Sequence, residues 1–271
     1  MPPNSDQEPA QCTDQRVVTL ADVTEPSRTD DVGYLTGVTD LLGLLAYAEL
    51  VAFFRLSEDA ALAPTIADKA ALAQMAVAEF GHFQLVRDRL VRLGADPELA
   101  MRPFMGPLDE FHAKTVPSSW PEGLVKAYVG DGVARDFYRV IAEFLDAETR
   151  ALVLEVMADT AYAEFAVDRV RAAIESDPPL ASRLALWARR LVGEALGQAQ
   201  RVAAEREPLA RLIAGRIAAA QPESGGDPAD ARRGGAPAEA RRGSDLGDIG
   251  RIFARLTDQN TGRMAALGMD V

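Results

Sequence analysis

The chain has 271 residues, enough for one large domain with its own hydrophobic core and terminal extensions. A net charge of −12 excludes broad nucleic-acid affinity, because that affinity requires a cationic surface. The single cysteine, Cys12, excludes a disulfide framework and a cysteine-ligated zinc or iron–sulfur site. The chain shows no secretion-signal pattern and no uninterrupted apolar stretch of membrane-spanning length, so we predict a cytoplasmic protein without a membrane anchor.

Composition divides the chain into four parts. Residues 1–32 are polar and rich in proline and aspartate, and we predict a flexible N-terminal arm. Residues 33–216 contain long Ala-, Leu- and Val-rich runs with charges at helical spacing, which predict an all-α domain. Residues 217–248 lack large apolar side chains and predict a disordered linker. Residues 249–271 predict a short amphipathic helix that docks on this bundle or on a partner.

Within the all-α domain the periodicity predicts five helices. They span about residues 36–56, 66–93, 124–145, 147–175 and 180–205. A long connection with five prolines, residues 95–123, joins the second helix to the third, and we place His112 there as a solvated loop residue. Two helix pairs joined by one long crossover is the connectivity of a ferritin-like four-helix bundle, here with a fifth helix and a C-terminal docking helix.

The first two helices carry ionisable residues on faces that are otherwise apolar. Glu49 has apolar residues four positions before it and three, four and seven positions after it, so it lies at the centre of its helix's apolar stripe. Glu79 and His82, thirty residues later, share the apolar stripe of the second helix. Buried carboxylates must be neutralised, paired or metal-bound, and these two stripes offer no cationic partner. Glu and Glu-x-x-His on bundle helices are the ligands of di-iron carboxylate proteins.

The second half of the domain contains two alternative carboxylate pairs, and neither includes a histidine. One pair is Asp131 and Asp159, with Tyr162 three residues further on, where the pattern expects a second histidine. The other pair is Asp136 and Glu164. We prefer the first pair because the neighbours of Asp159 are more apolar than those of Glu164. Otherwise Asp136 is expected to pair with a nearby arginine and Glu164 to lie on the surface.

Four segments carry a resemblance to a known family: "AYAELVAFFRLS", "AEFGHFQLVRDRL", "KAYVGDGVARDFYRVIAEFLD" and "VMADTAYAEFAVDRVRAAI". Together they resemble the actinobacterial branch of the ferritin-like tRNA hydroxylases, named for hydroxylating 2-methylthio-N6-isopentenyladenosine. The resemblance covers about residues 33–216, and the terminal "RIFARLTDQNTGRMAALGM" is also similar to that branch.

The resemblance implies a non-haem di-iron monooxygenase that uses molecular oxygen and an external electron donor. It implies two iron ions, although one ion or none is an alternative for this chain. The implied ligands are Glu49, Glu79, His82, Asp131 and Asp159, with Tyr162 in place of the expected histidine. The implied partner is transfer RNA, and a homodimer is left open.

Two further hypotheses stay open from the sequence. The first is a di-metal oxidase of a small molecule, which the net charge of −12 favours over a transfer RNA enzyme. The second is a non-enzymatic bundle with a degenerate metal site, which the missing second histidine suggests. Transfer RNA binding would need a cationic patch, and the candidates are Arg87, Arg89, Arg92 and the arginines of residues 232–242.

Overall fold

The computed structural model describes residues 32–142, 145–158, 161–220 and 238–269. Within these ranges the chain forms helices and no strand, so the all-α prediction is confirmed. The predicted flexible arm, with Cys12, lies outside the described residues except for Val32, which begins the first helix. The helices in chain order are α1 (Val32–Leu62), α2 (Ile66–Arg92), α3 (Pro97–Lys114), α4 (Trp120–Ala142), α5 (Ala147–Val156), α6 (Ala161–Ser176), α7 (Leu180–Glu205), α8 (Glu207–Ala220) and α9 (Ala238–Ala266).

Helices α1 and α2 form an antiparallel pair because only three residues connect them. Thr65 caps the start of α2, where its hydroxyl accepts a hydrogen bond from the Asp68 backbone N–H at 3.0 Å. The chain leaves α2 through Gly94, whose φ of 76° suits glycine. This pair provides the framework on which Glu49, Glu79 and His82 are placed.

The proline-rich connection is largely helical, which corrects the predicted loop. Asp96 caps α3 by accepting hydrogen bonds from the backbone N–H groups of Glu98 and Leu99, and Pro97 occupies the first turn, where proline is tolerated. The apolar face of α3 packs on α1, where Gly43 lets the backbone of Ala100 approach closely. This packing stabilises a helix that contains two internal prolines. His112 therefore lies on a helix and not in a solvated loop.

The predicted fourth helix is divided into α5 and α6. Helix α5 ends in a turn. The backbone N–H of Met157 donates to the Val153 carbonyl, and the backbone N–H of Ala158 donates to the Glu155 carbonyl. Residues 159 and 160 lie outside the described residues. No proline or glycine marks this position, so the sequence contains no signal for the division.

The C-terminal part is more helical than predicted. Helix α8 follows α7 directly, and α9 begins at Ala238, so both ends of the predicted linker are helical, while residues 221–237 lie outside the described residues. Alanine, glutamate and arginine are strong helix formers, which explains why α9 starts before its amphipathic part. Leu256 and Met264 of α9 are buried, and Arg263 forms an ion pair with Asp136 of α4. The docking groove for this helix is therefore on its own bundle.

Helix α1 is the central helix of the bundle and contacts α2, α3, α4 and α8. Its length and composition would also suit a membrane span, but 56% of its most apolar window is buried inside the protein. We therefore interpret α1 as a core helix. The cytoplasmic location stays a prediction.

Candidate metal centre

Glu49, Glu79 and His82 lie together in the centre of the α1–α2 pair. Glu49 is fifteen residues before Pro64 and Glu79 is fifteen residues after it, so an antiparallel pair connected at this proline brings the two glutamates level with each other. His82 follows Glu79 by one helical turn and lies on the same face. The structure thus brings together all three residues that the first half of the sequence pattern predicted.

The geometry of the three side chains suits one metal ion. His82 Nδ1 lies 3.5 Å from Glu49 Oε2 and 3.6 Å from Glu79 Oε2, and one ligand atom from each residue lies within 4.8 Å of the other two. Two atoms bound to one ion at about 2.1 Å, the length of a zinc–imidazole bond, cannot be more than about 4.2 Å apart, and the two separations from His82 Nδ1 satisfy this limit. Two carboxylates and one imidazole also form a donor set that binds iron, zinc or manganese.

Burial and charge couple these three groups. The side chains of Glu49, His82 and Glu79 are only 9%, 17% and 26% exposed. Burial raises the pKa of Glu49 well above its usual value, whereas hydrogen bonds with His82 and Glu49 lower the pKa of Glu79 in spite of its burial. Hydrogen bonds to Glu49 and Glu79 raise the pKa of His82 to about 10. In the metal-free protein a protonated His82 therefore compensates the charge that a metal cation would otherwise neutralise.

Asp131 lies on α4 and faces the same region, but it does not join the cluster of three among the described residues. Its carboxylate is 2.7 Å from the guanidinium of Arg135, one turn further along α4. Burial and the nearby charge of Glu79 raise the pKa of Asp131, and Arg135 opposes this effect. A fixed arginine cation therefore occupies the position next to Asp131, where the sequence pattern predicted a second metal ion.

Tyr162, predicted in place of the second histidine, is buried in the core. Its hydroxyl donates a hydrogen bond to the backbone carbonyl of Leu124 at 3.1 Å. Burial raises the pKa of Tyr162 well above its usual value, so the phenolate that a metal would require is strongly disfavoured in this environment. Asp159 lies outside the described residues, and its role as a ligand stays a prediction.

The alternative pair is arranged as expected for residues that do not bind metal. Asp136 pairs with an arginine, but the partner is Arg263 of α9 and not Arg135 or Arg139 on its own helix. Glu164 is exposed. Sequence patterns alone could not identify Arg263, because it is more than one hundred residues away.

A largely apolar cavity of about 520 Å³ lies between α1, α3, α4 and α7 and reaches the metal-ligand candidates. Glu49, Glu79 and Asp131 line one part of its wall. Further polar residues also line it, among them His112, Lys126 and Gln198, and the sequence analysis did not identify them as functional. Their signal is weak in a single sequence, because each is an isolated polar residue on a partly apolar helix.

Among the arginines considered for nucleic-acid binding, the three on α2 are paired with carboxylates. Arg87 contacts Asp88 at 2.7 Å, and Arg92 contacts Glu148 at 3.3 Å. Arg89 is buried and bonds to several groups at the start of α5: Asp146, Glu148 and Thr149. This side of α2 therefore presents little uncompensated positive charge. Arg232 and Arg233 lie outside the described residues, and so do the side chains of Arg241 and Arg242.

An all-α bundle with this connectivity, with a buried Glu49 and half-buried Glu79 and His82, defines a ferritin-like helical bundle with a candidate metal centre. The chain belongs to the family of ferritin-like domains of actinomycetes, whose family model matches residues 32–216. A comparison with curated proteins gives no match. Among solved structures, the chain is similar to a Synechococcus protein described as having aldehyde deformylating oxidase activity. The TM-score is 0.58 with 17% sequence identity, and the alignment covers 90% of this chain and 95% of that chain. This likeness confirms the ferritin-like fold.

Proposed function

We propose that this protein is an oxygen-dependent, iron-using oxidase or hydroxylase that acts on a small molecule bound inside the helical bundle. The observation that carries the proposal is the largely buried cluster of Glu49, Glu79 and His82, of which the two glutamates line an apolar cavity. The oxidase activity described for the structural neighbour from Synechococcus supports the same class of chemistry. A non-enzymatic bundle would not need three ionisable groups at this depth, because buried charges destabilise a fold unless they are compensated.

Glu49, Glu79 and His82 would hold the first ion. A second ion would take Asp131 and Asp159 as predicted, and Asp131 would first have to exchange Arg135 for the metal. Bound iron would supply the oxygen chemistry that no amino-acid side chain provides. His82 must lose its extra proton when metal binds, so we expect proton release on metal binding. The apolar cavity walls exclude water from this region.

A small molecule suits the site better than transfer RNA. The cavity lies between helices, and its lining is mostly aliphatic and aromatic. The candidate nucleic-acid patch on α2 is neutralised by acidic residues, and the whole chain carries a net charge of −12. The transfer RNA substrate and the external electron donor implied by the family resemblance stay predictions.

The decisive experiment is to reconstitute the full-length protein with ferrous iron without oxygen, remove unbound metal, and measure bound iron and oxygen consumption. We expect at least one tightly bound iron per chain and oxygen uptake in the presence of a chemical reductant. The same measurement is made on the cluster variant Glu79→Gln. Glu164→Gln is its matched control, because Glu164 is exposed and outside the cluster. A folded protein that binds no transition metal above trace would contradict the proposal.

The substrate class is tested separately by comparing a deletion strain with its parent. If transfer RNA is the substrate, a modified adenosine will lose its hydroxyl group in the deletion strain. If a small molecule is the substrate, the nucleosides will be unchanged and a small apolar metabolite will accumulate. The second result is the one that we expect.

A further inference from the structure

The cavity contains a group of polar residues that the metal centre does not use. Lys126 of α4, His112 of α3 and Gln198 of α7 all line it, whereas most of the remaining lining is apolar. Three charged residues of α1 outside the metal centre also line it: Arg55 and Glu58, which pair with each other at 2.8 Å, and Asp59. Polar groups in an apolar cavity commonly fix the orientation of a ligand. Their bonding therefore indicates what kind of ligand the cavity binds.

Lys126 is a buried cation whose pKa is lowered to about 8 by burial and by the charge of Arg55, while the carboxylates of Asp59 and Glu58 act in the opposite direction without coming within ion-pair distance. Its residue is only 8% exposed, and its ammonium donates one hydrogen bond, to the Thr115 carbonyl at 2.7 Å. The same ammonium lies 5.5 Å from the centre of the Phe111 ring. None of the ion pairs formed within the described ranges includes Lys126. An ammonium carries three N–H donors, and buried charges are usually paired, so this arrangement suits an anion from outside the chain.

His112 and Gln198 each present a buried polar atom to the same part of the cavity. His112 Nδ1 and Gln198 Oε1 have no hydrogen-bond partner among the residues that the structure describes. Glu110 of α3 and Arg201 of α7 form an ion pair at 2.5 Å. Because His112 and Gln198 are close to these two residues in sequence, they lie at about the same height along the bundle. Lys126 lies at this level too, because it bonds to Thr115 at the end of α3. Unpaired buried atoms are rare in native proteins and indicate a missing partner. For His112 Nδ1 that partner can be an acceptor such as a carboxylate when this nitrogen carries the proton, whereas the Gln198 oxygen accepts and needs a donor such as water.

The cavity extends along α1 on both sides of the metal-ligand candidates. Leu44, five residues before Glu49, and Asp59, ten residues after it, both line the cavity. The rise of an α-helix puts them about 7.5 Å and about 15 Å from Glu49 along the axis. Toward the Leu44 end the lining includes residues of α8 and α9, which are apolar, such as Ile213 and Leu256, with the exception of Thr257. The polar group around Lys126 is therefore near one end, and an apolar section lies at the other.

We infer that the cavity binds an elongated apolar molecule with one terminal carboxylate. The carboxylate accepts hydrogen bonds from Lys126 and His112, and the hydrocarbon chain passes Glu49 and Glu79 toward α8 and α9. Asp59 also lines the polar end, and its negative charge limits the ligand to a monoanion. As a binding site this stands independently of the metal, whereas its role as the substrate site rests on the proposed function.

This placement puts a carbon inside the chain, and not the carboxylate, beside the metal ligands. Lys126 precedes Asp131 by five residues on α4, about 7.5 Å of helix rise. A carboxylate held by Lys126 is therefore separated from the metal centre by several methylene groups. The site would accordingly direct chemistry to an in-chain position and leave the carboxylate unchanged.

The test measures binding of saturated monocarboxylates to the metal-free full-length protein by calorimetry. The probes are hexanoate, octanoate, decanoate and dodecanoate, with decanol and methyl decanoate as neutral counterparts of decanoate. We expect affinity to rise about fourfold per added methylene until the cavity is filled. We also expect decanoate to bind at least about tenfold more tightly than decanol, because only decanoate compensates the Lys126 charge.

The variant Lys126→Met should remove the preference for decanoate over decanol while retaining decanol binding. Lys69→Met is the matched control, because Lys69 also donates to a backbone carbonyl, that of Ala61 at 2.6 Å, but does not line the cavity. Retained decanol binding shows that the cavity of the variant is intact. If Lys126→Met does not fold, Lys126→Gln is used, and the preference of the natural protein decides the question in either case.

Equal binding of decanoate and decanol to the natural protein would overturn the inference, as would failure of every probe to bind. Iron content is measured on the same preparation. Carboxylate binding without iron binding would support this inference and contradict the proposed function, whereas iron binding without carboxylate binding would do the reverse.

Discussion

The two halves of the candidate metal centre compensate buried charge in different ways. In the α1–α2 half, the cation within ion-pair distance of Glu49 and Glu79 in the described part of the chain is a protonated His82, and the charge of Arg135 reaches Glu79 from further away. In the α4–α6 half, Asp131 has the guanidinium of Arg135 at 2.7 Å, and Tyr162 bonds to a backbone carbonyl. The first half can exchange its proton for a metal ion, whereas the second half already contains a permanent cation. The two halves of a ferritin-like bundle can therefore differ in their need for metal.

The largest difference is expected in metal binding. Glu79→Gln removes a ligand charge and keeps the side-chain shape, so we expect bound iron to fall by at least about tenfold. The measurement is the iron content of full-length protein after reconstitution. Glu164→Gln should bind iron like the natural protein, because Glu164 is exposed on α6. An equal loss in both variants would show that the effect does not come from the cluster.

The halves should also respond differently to pH when no metal is bound. Folding raises the pKa of His82 to about 10, above the value of about 6.5 expected in the unfolded chain. The folded protein thus holds this proton more tightly, and stability falls as pH rises from about 6.5 to about 10. The difference in unfolding free energy between the natural protein and His82→Gln should shrink by up to about 1.4 kcal/mol per pH unit.

This comparison is made by denaturant unfolding of the metal-free proteins between neutral and alkaline pH. Taking the difference between two proteins cancels the titration of other groups. Arginine keeps its charge throughout this range, so the same difference measured for an Arg135 variant should not change with pH. A pH-independent difference for His82→Gln would contradict the assignment of its proton.

Removing the cation of the second half should destabilise the metal-free protein. Arg135→Met leaves Asp131 without its arginine partner, and we expect a loss on the order of 2 kcal/mol. The value is smaller than for a fully buried pair because the Asp131 side chain is 36% exposed. Arg139→Met, one turn away on an exposed part of α4, is the control and should change stability little. Equal effects of the two variants would show that the pair with Asp131 has no special role.

The first half of the site was predictable from sequence because its signals are local. Helical periodicity placed Glu49, Glu79 and His82 on apolar stripes. Their register follows from the short connection at Pro64, which the prediction made too long because it ended the first helix at about residue 56 and not at Leu62. The second half depends on choices that periodicity does not settle. Asp131 and Asp136 both face partly apolar surroundings on α4. Asp131 pairs with Arg135 of the same helix, whereas Asp136 pairs with Arg263 of the distant helix α9.

The fold shows the same contrast between local and distant information. The bounds of α2 and α7 follow from capping and turn residues, and the structure agrees with the prediction within a residue or two. Helix α3 was missed because its five-proline segment argues against helix locally, while its packing on α1 stabilises the helix. The division between α5 and α6 has no local signal at all.

Tyr162 provides the smallest expected effect and the sharpest test of how the two halves differ. If the sequence prediction is right and Tyr162 binds metal, Tyr162→Phe will lower the iron content, and the natural iron-loaded protein will show a visible phenolate-to-iron absorption band. If the hydroxyl serves only the Leu124 carbonyl, as its bond at 3.1 Å suggests, iron content will be unchanged and no such band will appear.

We expect the second result, together with a loss of about 1 kcal/mol in unfolding free energy from the missing hydrogen bond. Tyr128→Phe is a suitable control on the same core cluster. Because a carbonyl-bonded tyrosine cannot at the same time replace the second imidazole, this result would mean that any second ion depends on carboxylates alone. The second half would then bind metal more weakly than Glu49, Glu79 and His82, and a single iron would fill the first half before the second.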